Sequence, residues 1–325
     1  MGRRNRASVG RSRLARAAFA GLALAVAWAT PVRAADGLKV VASIVPIHSL
    51  VAQVMDGVGR PRLLVSAAAS PHDYALRPSD AEALGEADAV FWVGPGLEAF
   101  LAKPLASLAK KARVVELAAA DGVMVLPMRR GGGWEGERSE PAHDAAPARG
   151  GPGRDLHLWL HPSNAQALTR AIAGTLAAID PANALRYEQN RDAALGRLAV
   201  LDRDLSAVVA PVAGQPFVVF HDAYQYFEHR YGLSAVGSIV VSPERSPGPR
   251  RLRELKGKIE RLKARCVFRE PSFEPGLVQT LVAGTSARVG VLDPEGATVE
   301  PGPAAYDQLM RRLAGALVEC LAPRS

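Results

Sequence analysis

Seven histidines carry most of the chemical potential of this chain: His48, His72, His143, His157, His161, His221 and His229. Imidazole binds borderline-soft divalent metals as a neutral donor and titrates near neutral pH. Three of the seven stand where ligand sites form in α/β proteins. His72, in SPHDY, falls between a strand pattern and a helix pattern. His157, in DLHLW, precedes a helix and neighbours Trp159, and His221 directly follows the strand-like run FVVF. Parallel open sheets bind ligands beyond the carboxyl ends of their strands, so these three imidazoles are expected to meet in one cleft. Three neutral nitrogens suit Zn2+, with a fourth position left to water or a carboxylate. Three histidines and a water also describe a hydrolytic zinc centre. That alternative needs a placed general base, and no carboxylate lies in an evident catalytic motif here, with Asp73, Asp222 and Asp293 the nearest candidates.

The elements that must position these residues are legible from hydrophobic periodicity. Strands are expected at Lys39–Ile44, Arg62–Ser66, Ala89–Val93 and Arg113–Leu117. A second series runs from Phe217–Phe220 through 236–240 and Cys266–Arg269 to Arg288–Leu292. Helices fall between them, at Ile47–Met55, from Ser79 (as N-cap, with Glu82 completing a capping box), at Ser163–Ile179, 250–264 and Tyr306–Leu321. Strands alternating with helices imply parallel βαβ units. The longest helical pattern, Pro181–Val209, opens with Asp180 as N-cap and Pro181 at the first position. Its apolar face is Leu195, Leu198, Leu201, Leu205 and Val208. The expectation is an α/β fold of two lobes with parallel sheets: an amino-terminal lobe over 36–180, a linking helix over 181–212 and a carboxyl-terminal lobe over 213–325. Residues 129–154, rich in Gly, Pro and charge, interrupt the first lobe as a surface insertion.

Residues 1–35 read as a secretory signal peptide: a basic start, a fourteen-residue apolar run from Ala17 to Thr30, and the small-x-small exit Val32-Arg33-Ala34. Fourteen residues are short for a bilayer span, and no cysteine near the exit offers a lipid attachment point. Cleavage near Ala34/Ala35 is expected to yield a periplasmic protein that is not itself inserted in the membrane. Removing residues 1–34 deletes seven arginines and no acid, so the net charge falls from +8 to +1. The case for a nucleic-acid partner falls with it.

Four segments, SPHDYALRPSDAEAL, DLHLWLHPSNA, FHDAYQYFEHRYGL and CVFREPSFEPGLVQTL, resemble in order the zinc-binding receptors of bacterial ABC transporters, the ZnuA-type cluster A-I substrate-binding proteins. The resemblance spans nearly all of 36–325 apart from the insertion. It implies lobes joined by a rigid helix, a metal in the inter-lobe cleft, and His72, His157 and His221 as its ligands. Manganese-selective relatives usually have a glutamate where His221 stands, so zinc is favoured over manganese or iron. Pro71 occupies the place where some zinc members carry a glutamate, which leaves water as the fourth ligand, with Asp293 a weaker candidate. The implied partners are a membrane permease of an ABC importer and its ATPase, with the receptor itself a monomer. Many zinc members carry a His- and acid-rich loop where the insertion lies. Here only His143, with Asp144 and nearby glutamates, remains for a weak auxiliary site, the alternative being a plain linker.

The supporting residues follow. Asp222 is read as a partner that orients His221 or caps the next helix, and Trp159 as a cleft wall. Tyr226 is assigned to a lobe core, His161 to the cleft rim, His48 to helix capping and His229 to solvent. Two cysteines, Cys266 and Cys320, are too few for a thiolate metal cluster. In an oxidising compartment they are expected to be bonded to each other, a pairing the resemblance also implies.

Overall fold

The structure, a computed structural model, describes residues 37–66, 69–129, 153–240, 247–273 and 276–323. The expected signal peptide over 1–35 and, within the insertion, residues 130–152 with His143 and Asp144 lie outside the described residues.

Two parallel four-stranded sheets are built on one plan. The first comprises β1 (Val40–Ala42), β2 (Arg62–Leu63), β3 (Ala89–Trp92) and β4 (Arg113–Glu116) in the order β2-β1-β3-β4. The second comprises β5 (Pro216–Val219), β6 (Ser234–Ser238), β7 (Cys266–Arg269) and β8 (Arg288–Val291) in the order β6-β5-β7-β8. Every pairing is parallel. Helices α1 (Val45–Val54), α2 (Pro78–Glu86) and α3 (Ala102–Leu108) serve the first sheet. α6 (Gln225–Tyr231), α7 (Pro249–Leu262), α8 (Gly276–Val282) and α9 (Ala305–Leu321) serve the second. The central strands β1 and β3 are apolar and buried, and β7 is so up to Arg269, as parallel strands covered on both faces must be. In each sheet the order reverses beside its first strand. This opens a crevice at the carboxyl ends of β1/β3 and of β5/β7.

Between the halves run α4 (Pro162–Ile179) and the 26-residue α5 (Ala184–Val209). At a rise of about 1.5 Å per residue, α5 is roughly 40 Å long. It packs on α1, α4 and α9 and buries Tyr187, Ala194, Leu198, Leu201, Leu205 and Val209. The expected stripe is right except at its ends, where Val208 is exposed and Val209 turns inward. Asp180 does not cap this helix. A short 3-10 turn, Pro181–Asn183, precedes it, and the Asp180 carboxylate accepts bonds from Asn183 Nδ2 and the Tyr187 hydroxyl, each at 2.8 Å. One apolar cluster runs from Ile47 and Leu50 of α1 through Leu198 and Leu201 of α5 to Phe217 of β5 and Leu313 of α9. The two sheets thus share a core.

Two local starts differ from the sequence expectation, each because proline fixes φ at a first-turn value. Pro46 lies in the first turn of α1 rather than ending the preceding strand, and Pro78 starts α2 one residue early with Arg77 as N-cap. The reciprocal cap uses Asp80, not Ser79 and Glu82. Its carboxylate accepts the Arg77 backbone N–H at 3.1 Å.

Cys266 at the start of β7 and Cys320 near the end of α9 form a disulfide, pinning the last helix to its sheet. Packing there is tight. A Cβ on Gly290 of β8 would stand 2.4 Å from the Phe268 ring and 3.3 Å from Cys320 Cβ, so glycine permits the close approach. In the chain-entropy description a crosslink closing a loop of this length stabilises the fold by roughly 4 kcal/mol. Denaturation of the Cys266→Ser/Cys320→Ser double variant is therefore expected to show a loss of that order, with the stoichiometry of metal binding unchanged. Loss of metal binding by the folded variant would show that the bond also shapes the site.

Candidate metal centre

Each histidine of the expected trio is delivered by a different local device. His72 lies on the segment between β2 and α2, which is fastened by the Tyr74 hydroxyl donating to Asp80 Oδ2 at 2.7 Å. His157 begins a short 3-10 turn, Leu158–Leu160, that leads into α4. His221 is two residues beyond β5, at the crevice where the second sheet reverses order. A ring nitrogen from each falls within 4.8 Å of the others, and His157 and His221 are buried while His72 is half-buried. The ring centroids form a near-equilateral triangle with sides of 5.1, 5.5 and 5.6 Å.

Two carboxylates set the tautomers. Asp155 Oδ1 is 2.8 Å from His157 Nδ1 and also accepts the His157 backbone N–H. Both oxygens of Glu270 are 2.8 Å from His221 Nδ1. With N–H at each Nδ1, the Nε2 lone pairs are free to point inward, and they face each other across 3.3 Å. Two nitrogens each about 2.0–2.1 Å from one tetrahedral Zn2+ stand roughly 3.3–3.4 Å apart. Facing lone pairs repel unless a cation lies between them. A divalent metal or a proton meets that need.

The electrostatics say which groups hold protons in the metal-free protein. Burial lowers the His221 pKa, but the Glu270 charge and hydrogen bond outweigh it, with help from Glu295 and Asp222, and raise it to about 9. His72 goes the other way, well below the ordinary value, through burial and the neighbouring His157 and His221. Glu295 approaches His72 Nε2 to 3.7 Å. Burial, together with Glu270, Asp293 and Asp73, raises its pKa to about 8 against the opposing pull of His221.

The expectations for the remaining residues separate clearly. Asp293 is not among the residues whose ligand atoms lie within 4.8 Å of one another. Its oxygens accept the N–H groups of Gly296, Ala297 and Thr298 and the Thr298 hydroxyl, all at 2.8–2.9 Å. Asp293 thus builds the turn that presents Glu295, and Gly296, at φ +82°, gives that turn its left-handed corner. Asp222 does not orient His221, because Arg129 holds its carboxylate. Glu270 takes that role instead. Trp159 is fully buried, 5.4 Å from the His157 ring, and its indole N–H donates to Pro294 O at 2.8 Å, anchoring the same turn. Tyr226 is buried as expected, while Tyr224 donates to Glu270 at 3.1 Å. His161 is not a rim group: its Nδ1 accepts the Ser163 N–H and caps α4. His48 lies within α1 with Nε2 3.1 Å from Pro61 O, and His229 is exposed. Asp155, Glu270 and Glu295 escaped the sequence reading. Their signals were an acid two residues before His157, the first acid after β7, and a glutamate two residues beyond Asp293.

Glu270→Gln keeps the burial but removes the charge that holds the His221 proton. The His221 imidazole of metal-free Glu270→Gln protein is expected to titrate well below the parent's value of about 9. Nitrogen-15 NMR of the histidine rings reads this directly, and an unchanged titration would show that Glu270 is not the cause.

The sequence matches the family described as zinc-uptake complex component A, periplasmic, over residues 40–320. It is 47% identical over 304 residues to the high-affinity zinc uptake system protein ZnuA of Brucella abortus, covering 87% of this chain and 91% of that one. Identity to the Yersinia pestis protein of the same name is 37%, over 92% and 96% of the two chains. A crystal structure of ZnuA superposes with a TM-score of 0.74 at 25% identity, covering 88% of this chain and all of that one.

Proposed function

This chain belongs to the family of periplasmic zinc-uptake components, and from that premise we propose that it is a receptor that captures Zn2+ with His72, His157 and His221 and passes it to an ABC importer. The observation that carries this reading is the pair of inward-facing Nε2 atoms 3.3 Å apart with His72 beside them. Imidazole suits borderline-soft Zn2+, whereas Mn2+ is better served by carboxylate and water. Glu295, rather than Asp293 or a free water, is the fourth donor. Its carboxylate approaches His72 Nε2 to 3.7 Å, and Asp293 is committed to its turn. Three neutral ligands and one carboxylate leave a net charge of +1 on the bound complex, less strongly held than in a four-thiolate site and suited to cargo that must be released.

Residues 1–35 act as the export signal, cleaved near Ala34/Ala35, and among the described residues no helix is long and apolar enough to cross a membrane. The receptor works as a periplasmic monomer that docks on the membrane permease, whose ATPase drives uptake. Metal competition between Zn2+ and Mn2+ on the purified protein tests the choice of cargo within the family.

Substitution of any trio histidine removes one of few donors. His72→Ala, His157→Ala and His221→Ala are each expected to weaken zinc binding by on the order of 100-fold or more in a chelator competition titration. Wild-type affinity in any of them removes that residue from the site.

Metal must also displace the protons of the empty site. His221 and Glu295 hold protons at pH 7 because their pKa values are raised to about 9 and about 8. Both must be lost for ligation, so about two protons per ion are expected to be released at pH 7, and affinity rises with pH until about 9. The window lies above the unperturbed histidine range near 6.5, where a sequence reading places it. Calorimetric titration in buffers of different ionisation enthalpy counts the protons. Release of none at pH 7 contradicts the assignment.

A further inference from the structure

The strap Val123–Arg129, which continues the first half of the chain beyond β4, is sewn to α6 of the second half directly behind the histidines. Leu126 N–H donates to the Tyr226 hydroxyl at 2.8 Å, and that hydroxyl donates to Asp155 O at 2.6 Å. Gln225 Nε2 donates to Pro127 O at 3.0 Å. The strap is itself bridged to the segment that brings in His157, through Met128 N–H to Gly153 O and Asp155 N–H to Leu126 O, each 3.0 Å. At its end Arg129 spreads over two carboxylates of the second half. Nε meets Asp222 Oδ1 and Oδ2 at 3.1 and 3.0 Å, Nη1 and Nη2 meet Glu228 at 3.0 and 2.8 Å, and Nη2 also bonds Asp222. Asp222 is the next residue after His221, and Asp155 holds the His157 ring.

We infer that Arg129 is a positioning residue for metal capture: it fastens the His221 segment to the strap that supports His157, and so holds the two Nε2 atoms at metal-binding separation before the ion arrives. Bidentate guanidinium–carboxylate pairs fix direction as well as distance, and here one guanidinium fixes two. The carboxylates lie on the second half of the chain, the cation on the first. Without the clasp, His221 keeps Glu270 but its backbone loses the tie across the crevice. The ion then meets donors it must first gather, which shows as weaker binding and faster release. The inference rests on the trio being the zinc site.

Removing the guanidinium alone strands two buried carboxylates, so two milder variants carry the test. Arg129→Lys keeps the charge and loses the fork. Arg129→Gln/Asp222→Asn/Glu228→Gln removes all three charges together. Each is compared with the parent and with His221→Ala by thermal denaturation, chelator competition for zinc, zinc release by stopped flow, and the visible d–d absorption of the Co2+-loaded protein. Expected for both clasp variants are folded protein, zinc affinity weaker on the order of tenfold with most of the change in the off-rate, and an altered cobalt spectrum. Wild-type affinity and an unchanged cobalt spectrum in both, alongside lost binding in His221→Ala, overturn the clasp and leave the zinc site standing. Retained binding in His221→Ala overturns the zinc site itself, and the clasp with it.

Discussion

Two imidazole nitrogens aimed at each other across 3.3 Å are the constraint on which the rest of the structure turns. Left alone, a pair of facing lone pairs pushes the rings apart. They stay because Asp155 and Glu270 grip the opposite nitrogens. One grip is local, from Asp155 two residues before His157, and the other comes from a neighbouring strand's end. Asp155 belongs to the segment leading into α4, and Glu270 stands just past β7, the strand beside the one that delivers His221. A metal ion about 2.0–2.1 Å from each nitrogen, off the line that joins them, relieves the repulsion. In its absence the Glu270 charge keeps a proton on His221 at neutral pH. Metal uptake is an exchange of cations.

The parallel sheets make that arrangement possible. Strand order reverses beside β5, so the chain ends of β5 and β7 diverge and leave room for side chains from both. His221 and Glu270 occupy that gap. The first sheet shows the same geometry used differently. Glu98 fills the equivalent gap beside β1, accepting the Ser43 hydroxyl at 2.5 Å and the N–H groups of Val93 and Gly94. Burial raises its pKa to about 7 while these donors oppose the rise. One crevice is plugged by a carboxylate bound to backbone, and the other by a carboxylate that braces a histidine.

How much of this the sequence discloses follows from the range of each interaction. The strands, the long helix and the three histidines are readable because each depends on local pattern: continuous apolar runs, a helical stripe, a histidine just past a strand. Most of the supports are not, Asp155, two residues before His157, being the exception. Glu270 is 49 residues from His221, and no local pattern distinguishes it from any acid following a strand. Asp222 adjoins His221 in the chain and looks the better partner, but Arg129, 93 residues away, takes its carboxylate. Asp293 and Glu295 differ only in which one the turn consumes. That depends on Gly296 and on the indole of Trp159, 135 residues from the Pro294 carbonyl it holds. The helix starts at Pro46 and Pro78 were missed for a humbler reason, since proline both ends strands and begins helices.

The core shared by the two sheets gives the molecule a particular mechanical character. Side chains of α1, α5, β5 and α9 interlock in one apolar cluster, and close-packed interiors resist compression and shear. Walls packed into one core resist a rigid-body swing of either against the other. An ion held between such walls would leave as its bonds to the donor atoms break one after another. Ligand-exchange chemistry at the metal would then set the ion's residence time, and a partner taking the ion would compete for it donor by donor.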